Sequence, residues 1–235
     1  MVLMVCQAAH LDHCEGAAQV LKVYHKQWPL DPPRHKLCMS VCVTVLVEAL
    51  FTKGLCSSND ELRRYAKYLK KGTGDAGIVL SALCEANIFL NMCEERSDSC
   101  QGDIDELASG IRTTCDQVAA SREELRHVRN LIRTAILAGK RGTLPILLGQ
   151  LERFEVFTIA VSLLLNLIAF AFIPYHRERV LSKNSELVDE ALLAASSFDE
   201  QTPLGATHVS LVLVAAWIAA IDRLWSTTGK ARQYG

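Results

Sequence analysis

The sequence predicts an all-α protein: an N-terminal helical bundle or solenoid-like domain over residues 1–153, then one or two transmembrane helices within residues 154–235. Three observations carry this reading. Apolar residues recur at helical spacing between punctuated turns. No stretch alternates with period two over a useful length, so no sheet is expected. Beyond Phe154 the charge thins out, and two apolar blocks follow.

The start, "MVLMVCQAAHLDHCEG", does not read as a secretory signal. Its apolar run is short, no basic residue precedes it, and His10, Asp12 and His13 follow. "EGAAQVLKVYHKQW" places Ala18, Leu21 and Tyr24 or His25 on one helical face, and Pro29, Pro32 and Pro33 stop that helix. "KLCMSVCVTVLVEALF" is apolar nearly all round from Leu37 to Val47. That run of roughly eleven residues is too short for a bilayer and predicts a central core helix.

"SNDELRRYAKYLKKG" opens with a capping box, Ser58 to Glu61, and closes on Lys70, Lys71 and Gly72, which suit the negative helix end. "KKGTGDAG" lacks the Gly-Lys-Ser/Thr end of a phosphate loop and reads as a helix stop and start. "AGIVLSALCEANIFLNMCEER" predicts a strongly apolar helix with Leu80, Leu83, Ala86, Phe89 or Leu90, and Cys93 on its buried face. Two amphipathic helices are expected next, "GDIDELASGIRTTCDQVAA" and "SREELRHVRNLIRTAILAGK". The second starts at another capping box, Ser121 to Glu124, buries Leu125, Val128, Ile132 and Ile136, and stops at Gly139. The basic stripe in "RHVRNLIR" predicts a solvated helix face, with contact to acidic lipid or a partner as the alternative.

The first apolar block, Val156 to Tyr175, carries no charged residue. At 1.5 Å per residue it covers about 30 Å, the thickness of a bilayer's hydrocarbon core. Phe157 near its start and Tyr175 at its end stand where interface anchors belong. Asn166 lies in its middle and is expected to face another helix, because a bare amide in hydrocarbon costs on the order of several kcal/mol. The second block, Leu204 to Ile221, has Trp217 and Trp225 as anchors near its far end. Ser210, Ala216 and Ala220 offer a small-residue surface for Asn166. The segment between the blocks is expected to be an acidic loop. The alternative for the first block is a core helix buried in a larger soluble domain.

Net charge is −1, so no nucleic-acid partner is expected. All nine cysteines fall between Cys6 and Cys115 without disulfide-framework spacing, which suits a reducing, cytosol-facing N-terminal part. Two crossings then place Cys38, Cys93 and Cys115 on the cytosolic side and Lys183 on the other. His10, His13, Cys14, His35, Cys38 and Cys42 match no zinc pattern, and no cofactor is expected. No serine, cysteine or carboxylate constellation supports catalysis.

The block "FTIAVSLLLNLIAFAFIPY" resembles the first membrane helix of inositol trisphosphate receptors, relatives of the ryanodine receptors. Ile159, Ala160, Leu164, Asn166, Leu167, Phe170, Phe172 and Pro174 carry the likeness. "GIVLSALCEANIFLNMCEERSDS" is similar to the helical region before the pore domain in that family. The resemblance implies an intracellular membrane, the endoplasmic reticulum, with the N-terminal domain in the cytosol. It implies a lipid bilayer and further copies or other channel segments as partners. The sequence departs from the family in having no selectivity filter, no pore-lining final helix and no ligand-binding core. It is therefore expected to be a fragment or truncated relative that does not conduct alone. A helical adaptor or scaffold with no channel role is the alternative.

Overall fold

The computed structural model describes residues 16–17, 19, 23, 41–43, 45–50, 58–72, 74–95, 101–140, 142–172 and 177–198. Among them every regular element is helical. The chain forms two compact units, Met1–Asp98 and Ser99–Gly235. The 153/154 boundary expected from hydropathy falls inside a continuous helix. Contact between helices, rather than the change in charge, sets the units.

In the first unit, residues 41–43 and 45–49 are helical, followed by α1 (Asn59–Gly72) and α2 (Gly74–Glu95). The Ser58 carbonyl accepts from the amides of Glu61 and Leu62, so α1 begins where the capping signal places it. Leu62, Tyr65, Ala66 and Leu69 form the buried stripe of α1, at the i, i+3, i+4, i+7 spacing of one helical face. α2 is buried on every side from Val79 to Phe89 apart from Glu85. Asn87 ties it to its neighbour: its Nδ2 donates to the Leu46 carbonyl (3.0 Å) and to the Leu83 carbonyl one turn back (2.9 Å). Asn91 Nδ2 donates to Asn59 Oδ1 at 3.0 Å, joining α2 to the start of α1.

The second unit contains α3 (Gln101–Leu137), α4 (Leu144–Phe172) and α5 (Arg177–Phe198). α3 is one helix about 55 Å long where the sequence predicts two. The capping pattern at Ser121 is overridden because Ala119 and Ala120 before it are the best helix formers and no glycine or proline lies between Ile111 and Leu137. Ser121 is buried as one step of a stripe made by Ile111, Thr114, Val118, Ser121, Leu125 and Ile132. Its three-and-four spacing is that of a seven-residue packing repeat. Val128, expected in the stripe, is exposed, and Ile136 is half-buried.

The turn after α3 follows the glycine signal closely. Gly139 takes a left-handed φ of 81°, its amide donates to the Ile136 carbonyl, and the Lys140 amide donates to the Ala135 carbonyl. That pair of bonds is a Schellman cap, which satisfies two helix-end carbonyls. The Thr143 carbonyl then accepts from the Leu147 amide and opens α4. The acidic loop expected after the first apolar block is instead α5, which packs back along α4. Val180, Asn184, Leu187 and Ala191 are its buried face. Their spacing of four, three and four residues marks a helix rather than a loop.

Candidate functional site

α4 is the most apolar helix of the second unit. Its Leu144–Phe170 stretch is 27 residues long and apolar enough to cross a membrane, and 78% of its most apolar window is buried inside the fold. Leu163, Leu164 and Leu165 point in three directions, about 100° apart, and are 0%, 8% and 0% exposed. Protein therefore surrounds this part of the helix. Its hydroxyls bond within the helix itself: Thr158 Oγ1 donates to the Glu155 carbonyl (2.7 Å) and Ser162 Oγ to the Thr158 carbonyl (2.8 Å).

Asn166 faces protein, and its Nδ2 donates to Asn184 Oδ1 of α5 at 2.9 Å. Both residues are buried. Ser210, Ala216 and Ala220 lie outside the described residues, as do Tyr175, Trp217 and Trp225. Phe157 is 3% exposed and its ring stands 6.2 Å from that of Phe154, so its side chain packs within the protein. Replacing Asn166 with leucine leaves the buried Asn184 amide without this partner, a cost of about 1–3 kcal/mol. Changing both asparagines to leucine should recover much of that loss. Urea melts of the two variants check this: a double variant as weak as the single one contradicts the pairing.

At the start of α4's buried part lies a charged cluster. α3 presents Arg122, Arg126, Arg129 and Arg133, spaced four, three and four residues along one helical face. α4 contributes Glu152 and Glu155, and α5 contributes Glu190. Arg126 Nε approaches Glu155 Oε1 at 3.4 Å, and its other nitrogens pair with Glu123 (2.9 Å) and Glu190. Arg129 pairs with Glu155. Arg133 donates to Glu152 at 2.5 Å, and Arg122 lies 3.9 Å from Glu190. Burial works against the charge on Arg126, but Glu190, Glu123 and Glu155 outweigh it and hold this guanidinium above its ordinary pKa. Burial dominates at Arg122 and lowers its pKa despite Glu190.

Arg126, Arg129, Arg133, Glu152, Glu155 and Glu190, with Val156, Ile159, Leu193 and Ala194, line a cleft of about 570 Å³. Four arginines stand against Glu123, Glu152, Glu155 and Glu190, so the cluster has no excess charge to recruit an ion. Such a cluster can set register, since its charges pair only when α3, α4 and α5 are correctly aligned. The basic stripe read as a solvated face is partly drawn inward: Arg126 and Arg129 are half-buried against glutamates, while His127 and Arg133 stay exposed. The signal for it was available in the arginine spacing and in Glu152 and Glu155, which sit three residues apart just before the apolar run.

α5 also brings Lys183 close to α3. The Cys115 thiol is pushed up to about 11, first by burial and then by Asp116, with Lys183 opposing. Lys183 on α5 thus lies near enough for its charge to act on this thiol of α3. A thiol with that pKa is in thiolate form at only about one part in a thousand at pH 8. Native Cys115 should therefore react slowly with a thiol reagent and quickly in denaturant, as read by peptide mass mapping. Its folded pKa lies above the ordinary value of 9.0. The stability it contributes is present below pH 9 and is lost as pH rises from about 9 towards 11.

Among the described residues no group of three or more His, Cys, Asp or Glu side chains is placed to hold a metal ion. Of the His and Cys residues weighed as zinc ligands, Cys42 is buried and the others lie outside the described residues. No family model, curated protein or solved structure matches this chain.

Proposed function

We propose that this protein is a helical adaptor or scaffold in which α4 is the core helix of the second unit. The observation that carries the proposal is the all-round burial of α4 from Glu155 to Ala169, broken only at Ser162 and Leu167. α5 runs beside it with Lys183, Glu186, Asp189 and Glu190. Placing that helix in hydrocarbon together with α4 would cost several kcal/mol for its charges. The first unit supports the same use of an apolar helix. α2 is buried on nearly all sides, and its apolar stretch, Gly77–Met92, is too short to span a bilayer.

A second reading is favoured by the length and composition of Leu144–Phe170. In it α4 crosses an intracellular membrane, and the chain is a relative or fragment resembling the juncture of cytosolic domain and first span in calcium-release channels. Carbonate extraction of cell membranes separates the two. Release of the full chain into the supernatant supports the scaffold. Retention in the membrane pellet overturns it in favour of a spanning helix.

A further inference from the structure

The turn joining α3 to α4 is the most exposed apolar feature of the described surface. Leu137 is 88% exposed, Ile146 67% and Leu147 42%. They flank Gly139, Lys140 and Gly142, all exposed. Single exposed leucines need no explanation, but three large aliphatic side chains around one hairpin tip do. The charge around them is one-sided. From Thr134 to Leu151 the sequence has Lys140 and Arg141 and no acidic residue. The arginines of the neighbouring cluster cannot supply further positive charge, because glutamates already neutralise them.

We infer that the α3–α4 hairpin tip docks on an anionic lipid surface, with Leu137, Ile146 and Leu147 entering the headgroup boundary and the exposed Lys140 meeting lipid phosphates and carboxylates; Arg141, next in the sequence, adds a second positive charge. Exposed aliphatic side chains beside basic residues are the combination by which interfacial segments hold to a membrane without crossing it. The backbone suits this position. The Schellman bonds at Gly139 and Lys140 already satisfy the Ile136 and Ala135 carbonyls, so fewer bare polar groups approach the lipid. Pro145 lacks an amide proton that would otherwise need a partner in the first turn of α4. The anionic charge distinguishes this occupant from an apolar protein groove or a second copy of the chain, neither of which requires the missing acidic residues.

The test is co-sedimentation of the full chain with vesicles of mixed phosphatidylserine and phosphatidylcholine, and with vesicles of phosphatidylcholine alone. The parent should bind the anionic vesicles and lose roughly fivefold in affinity for each basic residue removed, at Lys140 and Arg141. The double variant Leu137→Asp, Ile146→Asp should lose about tenfold or more. These side chains are exposed, so its thermal melt should match the parent's and a folding defect is excluded by that measurement. Leu192→Asp, an exposed position on α5, should bind like the parent. Equal binding by the parent and the double variant overturns the proposal, as does equal binding to the two vesicle types. A parent that stays in the supernatant also overturns it. If the tip variants instead turn a dimer into a monomer without vesicle binding, the occupant is a second copy. Carbonate resistance of the bound protein reports separately on α4, so failure of the scaffold reading and failure of the hairpin reading are distinguishable.

Discussion

Replacing Glu155 with alanine is expected to destabilise the second unit by about 2–4 kcal/mol. Its carboxylate is 9% exposed and pairs with both Arg126 and Arg129. The two guanidiniums are themselves only 26% and 23% exposed. Removing the acid strands positive charge in a place where water cannot fully replace it. Arg126 retains Glu123 and Glu190, while Arg129 keeps no other ion pair among the described residues. Outer parts of the network should matter less. Arg133 and Glu152 are 50% and 31% exposed, and such pairs contribute about 0–1 kcal/mol. Glu124, exposed on α3, should change stability by no more than about 0.5 kcal/mol when made alanine. Urea denaturation followed by helical circular dichroism measures all three. If Glu155→Ala shifts the midpoint no more than Glu124→Ala, the cluster does not lock the helices.

Leu163→Ala and Leu165→Ala should each cost about 2–5 kcal/mol. Both side chains are fully buried and point in different directions from α4. In a closed protein core each truncation leaves a cavity that neighbouring side chains fill only partly. A helix facing lipid on one side would give a different pattern, because acyl chains flow into the space on that side. One substitution would then be costly and the other nearly neutral. The comparison therefore tests the environment of α4 directly: unequal losses, with one below about 1 kcal/mol, contradict its enclosure by protein.

The two results bear on different links. Glu155 tests whether alignment of α3, α4 and α5 depends on buried charge. The leucine pair tests whether the apolar face of α4 closes on protein all round. A chain that lost stability at the leucines but not at Glu155 would be a core without a lock, held in register by packing and the Asn166–Asn184 bond alone.

The sequence by itself determined the helical class and several helix ends. Ser58 fixes the start of α1 and Gly139 the end of α3, because caps and left-handed glycines act within a few residues of chain. The apolar character of α2 and α4, and the need of Asn166 for a protein partner, were equally legible, since burial and amide desolvation follow from residue type. The tertiary structure decided the rest. A local S-x-x-E pattern at Ser121 did not start a helix, because the stripe of α3 continued through it and packed as a unit. Glu178, Glu186, Asp189 and Glu190 made the segment after α4 read as a loop, although Val180, Asn184, Leu187 and Ala191 gave it one buried face. Above all, a charge-free run of residues has the same composition in a bilayer and in a protein core. What lies against α4 in this fold is set by residues distant in sequence, among them α3 before it and α5 folding back after it, and their placement rather than composition buries its side chains.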